Sequence, residues 1–355
     1  MKKPSASAIL IRADAPAGLG SGHILRMVAL GQAWRSNGGR VIFVTNTVSE
    51  VLLSRLHSEG FEVHQIVEAH PAKEDIEKTV CLGQACAVRH IVLDGYHFDR
   101  VYVQRLREAG FYVAMVEDIN QQDVYGPDVL LVPAPDAKNY GFCTAPWTKK
   151  LFGVDYALIR KEFLRARKPQ RRLGPSLHVL VSFGGEDAPN ATGLVLQSLG
   201  AIGWSGRVSV VLGALNLHRK RLMEFLHKSS LDSEVLPFQN NMADVLGGVD
   251  VLIGAGGGTC WEACFLGVPS FCLAISKNQE SVLGSLSRRH VLVYSGNMST
   301  LNDKEFTLQL QKFLQCPSDL QSMREHALQL VDGKGVEKFI YEMLRDSYEK
   351  EICHS

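Results

Sequence analysis

A chain of 355 residues is longer than one hydrophobic core ordinarily serves, so two domains are expected. Hydrophobic residues at 46% and charged residues at 21% exclude wholesale disorder and a membrane-embedded class, and no stretch reaches the roughly 20 apolar residues of a spanning helix. The formal net charge of +1 excludes the global basic field that gathers nucleic acid, which leaves a small molecule as the expected partner. A monomer is the expected state, with a weak dimer as the alternative.

The first predicted elements alternate in type. "SAILIRAD", "RVIFVTN", "HIVLDGY", "FYVAMVED" and "VLLVPAP" read as strands with helical segments between them, the pattern of a parallel sheet covered by helices. After the first strand, Ile24, Met27, Val28 and Gly31 follow the i, i+3, i+4, i+7 rule, and Gly38-Gly39 supplies a stop. At "RARKPQRRLGPS" basic residues mingle with prolines and a glycine, which predicts a linker over 166–176 between domains at 1–165 and 177–335. A second strand series follows: "LHVLVSFGG", "RVSVVLG", "SEVLPF", "DVLIGAGG" and "PSFCLAI". Beyond Asn302 the pattern is helical, with breaks at Cys316-Pro317 and "VDGKG" and a last helix over 336–355 placed to pack back on the first domain. The fold class is therefore α/β, with two Rossmann-like domains whose parallel sheets face a cleft and whose ligands belong at the carboxyl ends of the strands.

Eight cysteines with no CxxC pair read as reduced, mostly buried thiols, and the amino terminus reaches Arg12 and Asp14 before a leader-length apolar run can form. A cytoplasmic location is expected. No spacing resembles HExxH or a cysteine-rich zinc site, so neither a metal nor a cofactor is predicted.

Loops after strands hold the residues with chemistry. In "RADAPAGLGSGHILR" three glycines precede a helix, which fits either an anion-binding loop or a plain strand-to-helix turn; His23 is either a base near neutral pH or a structural residue of the helix start. In "IGAGGGTCWEACFLGVPS" backbone amides and Thr259 suit a diphosphate and Glu262 suits ribose hydroxyls, against the alternatives of an N-cap and a solvated glutamate. "SFGGEDAPNATG" and "LDGYHFD" occupy equivalent positions.

These strings together resemble the nucleotide-sugar hydrolases of pseudaminic acid biosynthesis. "IRADAPAGLGSGHILR" is similar to their R-x-D-x(4)-G-x-G-H-x-x-R opening, and "LDGYHFD", "LFGVDYALIRKEF", "VSFGGEDAPNATG", "NMADVLGGVDVLIGAGGGTCWEACFLGVPS", "KNQ" and "VDGKG" continue the likeness in order. The resemblance implies a fold like that of the GT-B glycosyltransferases. It also implies hydrolysis of UDP-2,4-diacetamido-2,4,6-trideoxy-β-L-altropyranose, with inversion at the anomeric carbon. His23 is then the base; Arg12, Asp14, Gly22, Tyr96, Asn278 and Gln279 belong to the sugar site. Gly184, Gly185, Asn241, Met242, Gly257, Gly258, Thr259 and Glu262 belong to the UDP site. The chain departs from the family pattern at Gly258, where serine is usual, at Ala263, where arginine is common, and at Glu117, where an Asp-Asp pair is commoner. A glycosyltransferase of the same fold, and a nucleotide-sugar binding protein without turnover, are the alternatives.

Overall fold

A computed structural model describes residues 7–15, 21–47, 49–168, 173–174, 176–213, 216–236 and 242–354. The chain forms two compact units, Met1–Lys161 together with Gly333–Ser355, and Glu162–Asp332. Each carries one parallel sheet.

The first unit holds β1 (Ile9–Ala13), β2 (Val41–Thr45), β3 (Glu62–Gln65), β4 (His90–Asp94), β5 (Tyr112–Val116), β6 (Val129–Val132) and β7 (Lys149–Phe152), in the spatial order β3-β2-β1-β4-β5-β6-β7. β1, β2, β4, β5 and β6 are buried along their whole length, as apolar strands covered on both faces must be. β3, "EVHQ", and β7, "KKLF", escape the sequence reading because they are short, largely polar strands toward or at the sheet edges.

Helix Gly22–Ser36 follows β1 and buries Ile24, Met27, Val28, Leu30 and Trp34 against the sheet. Gly31 shares that face for a steric reason: a Cβ there would lie 2.6 Å from Phe61 Cζ, so the ring packs directly onto the helix backbone. The helix ends where Gly38 takes a φ of +85°, a conformation open to glycine at little cost.

The last helix, Gly335–His354, belongs to this same unit, with Val336, Phe339, Ile340 and Met343 in one apolar cluster with Ile9, Val28 and Trp34. Its start presses on the chain after β7, since a Cβ at Gly335 would fall 2.2 Å from the Ala157 carbonyl oxygen.

The second unit holds β8 (Val179–Ser182), β9 (Val208–Val211), β10 (Ser233–Leu236), β11 (Val251–Ala255), β12 (Ser270–Ala274) and β13 (Val293–Asn297), in the order β10-β9-β8-β11-β12-β13. The stretch after Glu162 packs here: Arg167 donates to the Leu328 carbonyl at 3.4 Å and lies over the Phe265 ring. No helix among the described residues is long and apolar enough to cross a membrane. The described cysteines are free thiols, but only Cys260, Cys264 and Cys272 are buried; Cys81 and Cys143 are exposed, which corrects the expectation of mostly buried thiols.

Phe339 is fully buried. Phe339→Ala is expected to cost the first unit about 3–5 kcal/mol, read from the denaturant midpoint of the intact chain; a loss below about 1 kcal/mol contradicts a core role for the last helix.

Candidate functional site

Both sheets reverse their direction of winding once, and such switch points leave a crevice at the carboxyl ends of the two central strands. In the first unit these strands are β1 and β4, with Ala13 paired to Asp94 and Asp94 to Val116 of β5. His23 begins the helix after β1, Asp94 ends β4, and Glu117 and Asp118 follow β5. Parallel register thus gathers residues distant in sequence.

His23 Nδ1 lies 2.6 Å from Asp94 Oδ1. A carboxylate at that distance fixes the proton of the neutral imidazole on Nδ1, which makes Nε2 the nitrogen with the free electron pair. Arg26, one turn further along the same helix, donates through Nε and Nη2 to Asp94 at 2.6 and 2.7 Å, and through Nη1 to Asp118 at 2.6 Å. Tyr96 donates its hydroxyl to Asp118 at 3.0 Å and meets the His23 ring edge-on, centroids 4.8 Å apart.

Burial by itself raises the Asp94 carboxyl, but the charge of Arg26 and the hydrogen bonds from Arg26 and His23 outweigh it and hold the group below the usual carboxylate range. Burial likewise lowers Arg26, and the carboxylates of Asp118 and Asp94 more than reverse this. Glu117 takes the opposite course. It is fully buried, neither carboxyl oxygen has a hydrogen-bond partner among the described residues, and burial followed by the charge of Asp118 pushes it well above its ordinary value.

Arg12 and Asp14 form a separate network at the carboxyl end of β1. Arg12 is fully buried, with Nε and Nη2 on Asp75 at 3.0 and 2.6 Å, Nη1 on Asp14, and its guanidinium over the Phe98 ring. Its nitrogens are thus spent inside the protein, on Asp75 and Asp14. Asp14 accepts from Arg12 and the Asn46 amide, and His97 Nε2 lies 3.1 Å from its Oδ2. Against the cost of burial, His97 and Arg12 hold the Asp14 carboxyl down at about 2. Gly22 opens the helix with free space where a Cβ would stand.

In the second unit, β8 and β11 flank the switch point, with Ser182 paired to Gly254. The loop after β8 carries Gly184, at a φ of +82°, and Gly185, which packs so closely on Gly213 that a Cβ at 213 would lie 2.1 Å from its carbonyl oxygen. Asp187 accepts from the amides of Ala191 and Thr192 at 2.8 and 3.0 Å, so the helix that follows is closed by its own carboxylate.

The loop after β11 is different. Gly257 precedes helix Gly258–Leu266, no side chain caps it, and a Cβ at either glycine would meet open space, leaving the amino end accessible to an anion. Thr259 is half-buried in the first turn and Glu262 is buried one turn on. Gln279 turns its Oε1 toward the backbone, accepting from Ile275 at 3.0 Å and Gly256 at 3.3 Å, and so braces the glycine loop. Asn278 accepts from Ser276 Oγ at 2.5 Å. Met242 opens a short helix, Met242–Gly247; Asn241, like Gly18 and Gly20 of the first loop, lies outside the described residues.

Sequence reasoning passed over Arg26 and Asp118 as site residues. The signal for Arg26 was present: His23 and Arg26 stand three residues apart, on one face of a helix. Asp118 had no such signal, because its place depends on β5 lying beside β4.

The two parallel-sheet α/β units have the architecture of the GT-B glycosyltransferase fold. MurG of Acinetobacter baumannii superposes with a TM-score of 0.66 at 16% identity, covering 96% of this chain and 99% of that one. HepE of Anabaena, solved with UDP-glucose, gives 0.63 at 12% identity over 95% and 99%. MnaA of S. aureus, solved with UDP, gives 0.65 at 11% over 94% and 95%. Among curated proteins, the spore coat polysaccharide biosynthesis protein SpsG of Bacillus subtilis is 22% identical over 337 residues, 94% of this chain and 96% of its own length. The uncharacterized protein MJ1062 of Methanocaldococcus jannaschii is 24% identical over 296 residues; the match takes in 80% of this chain and 60% of that protein's length. No protein-family model matches the chain.

Glu117 generates a prediction about pH. An acid whose folded value is raised loses stability as pH climbs from the unfolded value, about 4.5, toward the folded one, because the unfolded chain releases the proton first. Glu117→Gln should therefore gain on the parent by about 1.4 kcal/mol for each pH unit above that point, until the folded value is passed. Denaturation series between pH 5 and 8 measure it, and parallel pH curves for the two proteins would refute it.

Proposed function

We propose that the chain is a nucleotide-sugar enzyme that breaks the bond between the anomeric carbon and the diphosphate by attack of an activated hydroxyl nucleophile. The observation that carries this reading is the 2.6 Å contact between His23 Nδ1 and Asp94 Oδ1, which presents Nε2 as a base. His23 takes the proton of the incoming hydroxyl as its oxygen bonds to the anomeric carbon; the electron pair of the breaking C–O bond leaves with the diphosphate. Asp94 stabilises the imidazolium that forms, and Arg26 keeps Asp94 ionised and oriented. A single displacement of this kind inverts the anomeric carbon.

The uncapped amides of Gly258 and Thr259 suit the developing charge on the diphosphate, and Glu262 suits the ribose. Gly257 belongs to the same cradle, with Gly184 and Gly185 after the neighbouring strand β8, and the motif resemblance assigns Asn241 and Met242 to the uracil. Tyr96, beside His23, belongs to the sugar pocket. The motif resemblance assigns Asn278 and Gln279 to the sugar as well, and Gln279 shapes the glycine loop of its own unit.

Transfer to a hydroxyl of an acceptor is the reading favoured by the structural relatives, which include a protein solved with UDP-glucose, and by the polysaccharide biosynthesis name of SpsG. Hydrolysis, with water as nucleophile and a UDP-linked diacetamido-trideoxy sugar as substrate, is the second reading. It is favoured by seven motif segments in the order of the pseudaminic acid hydrolases.

UDP release from UDP-sugars, followed with and without acceptor sugars, separates the two: transfer requires acceptor, whereas hydrolysis proceeds in buffer and yields free sugar of inverted configuration. In either case His23→Ala is expected to lower kcat by about 10²–10⁴-fold, and full activity in that variant would end the base assignment. Gly258→Ser meets no steric obstacle and should tighten UDP binding by about two- to tenfold through one added hydrogen bond, measured by calorimetry; unchanged or weaker binding would place the diphosphate elsewhere.

A further inference from the structure

An open cavity of about 720 Å³ lies in the first unit, lined by none of His23, Arg26, Asp94 and Asp118. It is walled by one face of helix Arg100–Glu108, by Tyr112 at the start of β5, by Trp147 just before β7, and by Ser347 and Lys350 of the last helix. Tyr112 and Trp147 stand at the amino ends of β5 and β7, Arg100 opens the helix that returns from the carboxyl end of β4, and none of His23, Asp94 and Asp118 is in the lining. Four strand intervals separate His90 from Asp94, which is about 13 Å. A molecule held here does not touch the reacting groups.

The lining carries cations in excess. Arg89, Arg100, Arg107 and Lys350 face Glu108 and Asp128. Asp128 is already satisfied, accepting from Val113 N at 2.9 Å, Lys350 Nζ at 3.2 Å and Arg107 Nε at 3.3 Å. Glu108 accepts from Gln104 at 2.7 Å. Arg89 donates to the Ser347 carbonyl at 3.1 Å, which ties the last helix to the cavity wall. Arg100 is exposed and has no carboxylate partner among the described residues.

The second feature is a flat aromatic ledge. Trp147 is 47% exposed, its indole N–H is spent on the Gly126 carbonyl at 3.2 Å, and the Arg107 guanidinium lies 4.7 Å from the ring centroid. An indole fixed in this way, beside the apolar surfaces of Val103, Phe111 and Tyr112, suits a planar ring. Arginines on the same cavity suit a phosphate. The volume is that of a small-molecule site, 300–1,000 Å³ as a rule of thumb of roughly nucleotide size.

We propose that this cavity is a second ligand site, separate from the His23 cluster, for an anion that joins a phosphate to a planar base, a nucleotide. The base lies on Trp147 and the phosphate meets Arg100.

The test is a titration of tryptophan fluorescence in the full chain with UMP, AMP and ribose 5-phosphate, repeated in Trp147→Phe and Arg100→Glu. A saturable quench by at least one nucleotide is expected, lost in Trp147→Phe and shifted at least tenfold to weaker binding in Arg100→Glu, whose exposed position leaves the melting temperature unchanged. Ribose 5-phosphate, which lacks the base, should bind at least tenfold more weakly. No saturable quench with any of the three, a quench that survives whole in Trp147→Phe, unchanged affinity in Arg100→Glu, or equal affinity for ribose 5-phosphate would each overturn the assignment.

Discussion

Arg26 between Asp94 and Asp118 is the interaction on which the N-terminal site depends. A guanidinium drawn into the protein is costly unless its donors are met, and here three nitrogens reach carboxylate oxygens at 2.6–2.7 Å. The same contacts keep Asp94 ionised where burial would protonate it, and an ionised Asp94 orients His23. Without Arg26, two aspartates and the buried Glu117 would crowd one crevice with no countercharge. One helical residue thus holds Asp94 ionised and ties it to Asp118.

The Arg12 network works by the same principle. Arg12 is a spacer between Asp14 and Asp75, and Tyr102 donates to Asp75 at 2.7 Å. It fastens the carboxyl end of β1 to the residue after β2, Asn46, and to the helix Lys73–Ala85, which carries Asp75.

The two glycine loops of the second unit show how similar sequence can have different consequences. Both follow a central strand and precede a helix. In one, Asp187 closes the helix end with its own carboxylate; in the other, Gly257 and Gly258 leave the amides bare and Gln279 supports the backbone from behind. Accessibility to an outside anion therefore differs by a single side chain.

Much of the architecture was legible in the residues: the apolar runs of the central strands, the periodicity of helix Gly22–Ser36, the glycine loops and the break before the second strand series all reflect local preferences that act within a few residues of chain. β3 and β7 were not, because short polar strands are made by the neighbour they pair with. His23 stood out as a titratable group in a glycine-rich loop. Its partner could not be read in the same way, since Asp94 is 71 residues away and reaches Nδ1 only because β4 lies beside β1. Arg12 shows the converse, a charged residue whose donors burial spends within the protein. Sequence by itself determined which groups with chemistry stand at strand ends; tertiary structure alone decided which of them meet, which are buried and which stay charged, because those properties depend on register between distant strands and on the water that packing removes.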